Sequence, residues 1–166
     1  MKRAGMIAAL ALGIVYVGAC ASKVAAGPSD GTYTIAFPST AAAVATDTVQ
    51  VLVFDVADGG PEDFCPALVS ARRSNQSLPA ALVEAKPTSP CDLAAGQGKV
   101  TVPYGVRAVL AIAQKGATDY LLGCAIQNVG EGSTQVPVQL TLATTTRTVP
   151  PTTCASLSDH CANKCP

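Results

Sequence analysis

The stretch Thr48-Val49-Gln50-Val51-Leu52-Val53-Phe54-Asp55-Val56 decides the fold. A strand that buries one face alternates apolar and polar residues, whereas this one is apolar at successive positions from Val51 to Phe54. It therefore predicts a strand covered on both sides. Working outward, Gly, Pro, Asp and Ser clusters separate further short runs rich in β-branched residues, the pattern of an all-β chain. Strands are expected at residues 32–37, where Tyr33, Ile35 and Phe37 share a face, and at 48–56, 80–85, 99–102, 106–114, 120–127 and 134–143.

Pro103-Tyr104-Gly105, Lys115-Gly116-Ala117-Thr118 and Gly130-Glu131-Gly132 are short, turn-bearing connections, so the last four strands are expected to run as an antiparallel meander. About seven such strands predict an antiparallel β-sandwich, immunoglobulin-like or transthyretin-like in architecture. The immunoglobulin hallmarks are missing, because the chain has no Trp and Tyr120 precedes Cys124 by four residues instead of two.

The 166 residues are 13% charged, with 11 Lys and Arg against 11 Asp and Glu. Such a scarce and balanced charge argues against a nucleic-acid-binding surface, a disordered acidic tail or a coiled coil. At the N-terminus, Lys2 and Arg3 precede an uncharged apolar run over residues 6–17 and then Gly18, Ala19 and Cys20. That is the n-region, h-region and small-residue cleavage zone of an export signal, and the apolar run is too short for the roughly 20 residues of a spanning helix. Ordinary signal-peptidase cleavage would fit Ala19-Cys20-Ala21 and release a soluble, secreted or periplasmic protein.

Val17-Gly18-Ala19-Cys20 resembles the lipobox of bacterial lipoproteins. The resemblance implies diacylglycerol transfer to the Cys20 thiol, cleavage before it, and acylation of the new amino group by a fatty acid such as palmitate. Several acyl chains at about 0.8 kcal/mol per buried methylene hold a protein firmly on a bilayer. Ala21 stands where the family's retention rule has Asp, which implies the outer membrane. The expected plan is a signal peptide at 1–19, a lipid-anchored flexible tether at 20–31, the sandwich at 32–143, a Thr/Pro spacer at 144–153 and a Cys-rich tail at 154–166.

Six cysteines remain after Cys20: Cys65, Cys91 and Cys124 in the body, Cys154, Cys161 and Cys165 in the tail. An oxidising compartment favours pairing them all, and an odd number on each side forces at least one bridge between body and tail. Phe64-Cys65-Pro66-Ala67-Leu68, Val102-Pro103-Tyr104-Gly105 and Gly123-Cys124-Ala125 resemble segments of the sandwich domains in envelope lipoproteins of myxobacteria and their relatives. This second resemblance implies a Cys65–Cys124 bridge, Cys91 joined to one tail cysteine, and the other two tail cysteines joined together. A zinc site is the rival use of Cys154, His160, Cys161 and Cys165, but adjacent His160 and Cys161 make poor co-ligands and there is no C-x-x-C knuckle.

Asp55, Asp58, Glu62 and Asp63 surround a glycine turn and supply oxygen ligands of the kind calcium takes, though their spacing is not that of an EF-hand. The plainer reading is a solvated turn, with residues 61–63 starting a short helical turn. Arg72-Arg73 reads as a solvated pair in a loop. His160 is the only histidine, so a serine triad has a single possible base, and no nucleophile elbow, Walker loop or cofactor motif is present. The function expected is that of a non-catalytic, lipid-anchored envelope protein without a cofactor, structural or partner-binding. The alternatives are an inhibitor or receptor-type protein with a specific macromolecular ligand and, last, a hydrolase using His160.

Overall fold

The computed structural model describes residues 30–56, 61–130, 132 and 134–165. The export segment and Cys20 lie outside them. In chain order the elements are β1 (Thr32–Ala36), α1 (Thr40–Val44), β2 (Thr48–Asp55), α2 (Pro61–Arg73), β3 (Val83–Glu84), α3 (Pro90–Ala94), β4 (Gly105–Lys115), β5 (Thr118–Val129), β6 (Gln135–Gln139), β7 (Thr141–Leu142) and α4 (Leu157–Cys161). Five strands form an antiparallel sheet in the order β3-β2-β4-β5-β7, and β1 pairs with β6 in a separate two-stranded sheet. No helix among the described residues is long and apolar enough to cross a membrane.

The doubly apolar β2 is buried on both faces. Its register with β4 sets Val49, Val51 and Val53 opposite Ala113, Ala111 and Val109, and Leu52 and Phe54 opposite Leu110 and Ala108. The first set joins a core shared with Tyr33 of β1 and with Val136 and Val138 of β6. The second set joins a core capped by Leu68, Phe64, Cys65 and Val69 of α2. Phe54 and Phe64 meet edge to face with ring centroids 6.4 Å apart. Fully burying each large apolar side chain contributes about 1.5–3 kcal/mol, so neither face of the sheet can be left open.

Four differences from the sequence reading have physical causes. The 13-residue helix α2 replaces the expected short turn and loop. Pro61 at its start, Glu62 and Asp63 in the first turn and Arg72 and Arg73 in the last all favour it, while Pro66 inside it removes one backbone donor. Residues 99–102 supply one bridge, Val102 to Gly31, and not a strand. Residues 134–143 divide into β6 and β7 at Leu140, whose N–H donates to the Ala36 carbonyl at 2.9 Å, and Pro137, which has no N–H to donate, sits in the short β6 that pairs on one side only. β6 runs along β1, in parallel, with Thr34 opposite Pro137, and the chain returns to β5 only at Thr141–Leu142. Finally, residues 144–147, expected to begin an extended spacer, close a turn in which the Arg147 N–H donates to the Thr144 carbonyl at 3.3 Å.

Three disulfides cross-link the body. Cys65–Cys124 joins α2 to β5, Cys91–Cys161 joins α3 to α4, and Cys154–Cys165 closes the tail around α4, with Cα separations of 5.5, 5.4 and 5.4 Å. One of them links body to tail, the minimum that three cysteines on each side permit. Each is worth about 2–4 kcal/mol, which is how a tail with so few apolar residues stays ordered.

Gly123 sits where the chain passes from β6 to β7. A Cβ there would collide with the Gln139 carbonyl and crowd the Leu140 backbone, neither of which is a flexible side-chain end. Gly123→Ala is expected to destabilise the fold by about 1–3 kcal/mol in urea denaturation. An unchanged midpoint would mean that this crossing is looser than described.

Tyr33 and Tyr120 are 4% and 2% exposed. Burial pushes both pKa values above the ordinary 10.0, against a smaller opposing pull from the Val100 backbone at Tyr33. A pKa higher in the folded than in the unfolded chain means that the stabilisation is complete below the unfolded value and lost as pH rises through the folded one. The urea midpoint is therefore expected to fall above about pH 10, with both phenols ionising later in the folded than in the unfolded protein by ultraviolet titration. A flat midpoint between about pH 9 and about pH 11 would contradict this.

Candidate functional site

Phe64, Cys65, Leu68, Val69 and Arg72 follow one another at helical spacing and give α2 one face, apolar until its last turn. That face lies on the sheet, so Arg72 arrives over β5 with its guanidinium directed at the strand. The strand meets it through a β-bulge. Ala113 pairs with Leu121 and Gln114 with Asp119, which leaves Tyr120 without a partner across the ladder. The extra residue sends Tyr120 and Leu121 both into the core on the far face, and it turns Asp119 onto the helix face. Arg72 then donates to both carboxylate oxygens of Asp119, Nε to Oδ2 at 2.6 Å and Nη2 to Oδ1 at 3.0 Å, and Gln114 adds a third donor at 3.2 Å. The side chains are 34% and 18% exposed, so the fork is partly withdrawn from solvent.

Beside this fork lies a cleft of about 290 Å³ lined by Arg72, Arg73, Asn75, Thr118, Asp119, Thr144 and Arg147, among others. Three stretches of chain build it: the C-terminal end of α2, the β4–β5 turn, and the turn after β7. Arg73 donates to the Leu142 carbonyl at 3.5 Å, at the limit for a hydrogen bond. The Arg147 guanidinium has no hydrogen bond or ion pair among the described residues. Three of the four arginines after residue 19 thus converge on one cleft. The expectation that Arg72-Arg73 is a solvated loop pair is corrected: both residues lie in the last turn of α2, and Arg72 is held by a carboxylate 47 residues away. The sequence carried a partial signal, the helical spacing of Phe64, Leu68 and Arg72. It carried none for Arg147.

The other sequence candidates are dispersed. Asp55 pairs across the ladder with Arg107, whose guanidinium also donates to the Val106 and Tyr104 carbonyls. Glu62 and Asp63 are exposed in the first turn of α2, where they complement the helix dipole. Asp58 lies outside the described residues, and Asp55, Glu62 and Asp63 form no group of converging ligand atoms. In the tail, the ligand atoms of Cys154, His160 and Cys165 lie within 4.8 Å of one another, but the two sulfurs are bonded to each other and Cys161 is bonded to Cys91. A disulfide offers no thiolate to zinc.

His160 faces a crevice of about 350 Å³ with Asp47 and Ser89. The three do not form a relay. Ser89 caps α3 and donates to Asp92, Asp47 accepts the Gly116 N–H, and the His160 imidazole has no hydrogen bond among the described residues.

No protein family, no curated protein and no solved structure matches this chain.

The Arg72–Asp119 fork is expected to contribute about 1 kcal/mol of coupling energy in a double-mutant cycle of Arg72→Ala and Asp119→Ala followed by urea denaturation. Strictly additive losses would show that the two side chains are neighbours without being partners.

Proposed function

We propose that this chain is a lipid-anchored, non-catalytic protein of the bacterial envelope, favouring the outer membrane, whose cross-linked β-rich body binds a partner. The observation that carries the reading is the division of the seven cysteines. Six are consumed in three bridges of the body and tail, and the seventh is Cys20, at the lipobox-like position after an apolar export segment. We read the body as a β-sandwich of immunoglobulin-like or transthyretin-like kind. In support of that, β1 and β6 share one core with the inner face of the five-stranded sheet, and the chain changes sheets between β6 and β7.

Intact mass of the native protein, with and without reductant, tests the proposal. The expected species begins at Cys20, carries diacylglycerol and a further acyl chain, and gains about six hydrogens on reduction, two per bridge. A chain that retains Met1, or a Cys20 free of lipid, would remove the anchor from this reading.

A further inference from the structure

We propose that the cleft between the end of α2, the β4–β5 turn and the turn after β7 binds a phosphate monoester, with Arg73 and Arg147 as the groups that hold it. Arg72 and Arg73 have a structural explanation in part, since two cations at a helix C-terminus complement its dipole. Arg72 is further neutralised by Asp119. Arg147 has neither explanation: it is in no helix, it has no acidic partner among the described residues, and the turn from Thr144 brings it to the cleft. The charged side chains lining the cleft are Arg72, Arg73, Arg147 and Asp119, a balance of +2.

A phosphate monoester carries about −1.5 to −2 at pH 7 and offers three acceptor oxygens, matching the guanidinium groups of Arg147 and of Arg73, whose one bond is the 3.5 Å contact to the Leu142 carbonyl, whereas a carboxylate supplies half of that charge. The cleft of about 290 Å³ is large enough for a phosphate and part of what carries it. Asn75, Thr118 and Thr144 line the same space as neutral polar residues, the Thr118 hydroxyl donating to the Lys115 carbonyl and the Thr144 hydroxyl bonded to that of Thr146. Arg72 is already held by Asp119 without any ligand, so binding needs to order only Arg73 and Arg147.

This deepens the partner-binding part of the proposed function and is independent of the anchor. If it fails, the acyl mass and the gain on reduction are unchanged. The mature protein in non-ionic detergent is titrated, with its arginine Nε–H signals followed by ¹H–¹⁵N correlation, using glycerol 3-phosphate, dihexanoyl phosphatidic acid below its micelle concentration, and acetate. Saturable shifts of Arg73 and Arg147, with Arg107 unmoved as the internal control, are expected from at least one of the two phosphates and not from acetate. Equal binding of both phosphates points to a soluble ester, and tighter binding of the lipid to a headgroup; either supports the site. Arg73→Gln with Arg147→Gln, which leaves the Arg72–Asp119 fork in place, is expected to weaken binding by about tenfold or more. No saturable shift with either phosphate, equal saturation by acetate, an equal response at Arg107, or full affinity in a double variant with an unchanged urea midpoint would each overturn the proposal.

Discussion

A sheet whose inner strands are apolar on both faces must be covered twice, and the rest of this structure follows from that requirement. β2 and β4 present Val49, Val51 and Val53 with Val109 to one side and Leu52 and Phe54 with Leu110 and Ile112 to the other. The first side is closed by the small parallel β1–β6 sheet and the second by α2. Neither cover is large. The five-residue strands of the first bury little more than Tyr33, Val136 and Val138, and α2 buries Leu68 with partial help from Phe64, Cys65 and Val69. The thin cover that α2 provides explains why its attachment is reinforced by something other than packing.

For α2 the reinforcement comes twice from β5. Cys65–Cys124 fixes the helix near its start, and the Arg72–Asp119 fork fixes its end. The second contact exists only because of the bulge at Tyr120. In an unbroken ladder Asp119 would lie on the face of Leu121, among buried apolar side chains where an unpaired carboxylate is costly. One extra residue therefore places a large aromatic in one core and a carboxylate against a cation on the other side. Bulges at the end of a hairpin commonly re-aim a side chain in this way.

The tail obeys a different logic. Cys154 is 6% exposed, but α4 has no buried residue, so the segment could not hold its place by burial alone. Cys91–Cys161 docks it against α3, and Cys154–Cys165 closes a loop around its one helical turn. Its path from the sheet begins at the Thr144–Arg147 turn. The same bend that starts the return of the chain toward α3 leaves Arg147 beside Arg73.

Local pattern determined much of this protein. The doubly apolar run at β2, the hairpin chemistry around Gly116 and the β-rich character were legible because strand periodicity and turn residues act over a few neighbours. So was the need for a body-to-tail disulfide, which is a matter of counting. Helix α2 was partly legible in its Pro61 start, acidic first turn and basic last turn, but Pro66 argued against it locally and the apolar face it meets is set by distant strands. Pro137 was a local sign of a strand paired on one side only, whereas the division at Leu140 and the parallel pairing with β1 were not legible. The arginine cleft was the least visible feature. It depends on a one-residue register shift and on a turn that brings Arg147 back to a helix end 74 positions earlier in the chain. Register and long-range approach are settled by the packing of whole faces, so only the tertiary structure could assemble those charges.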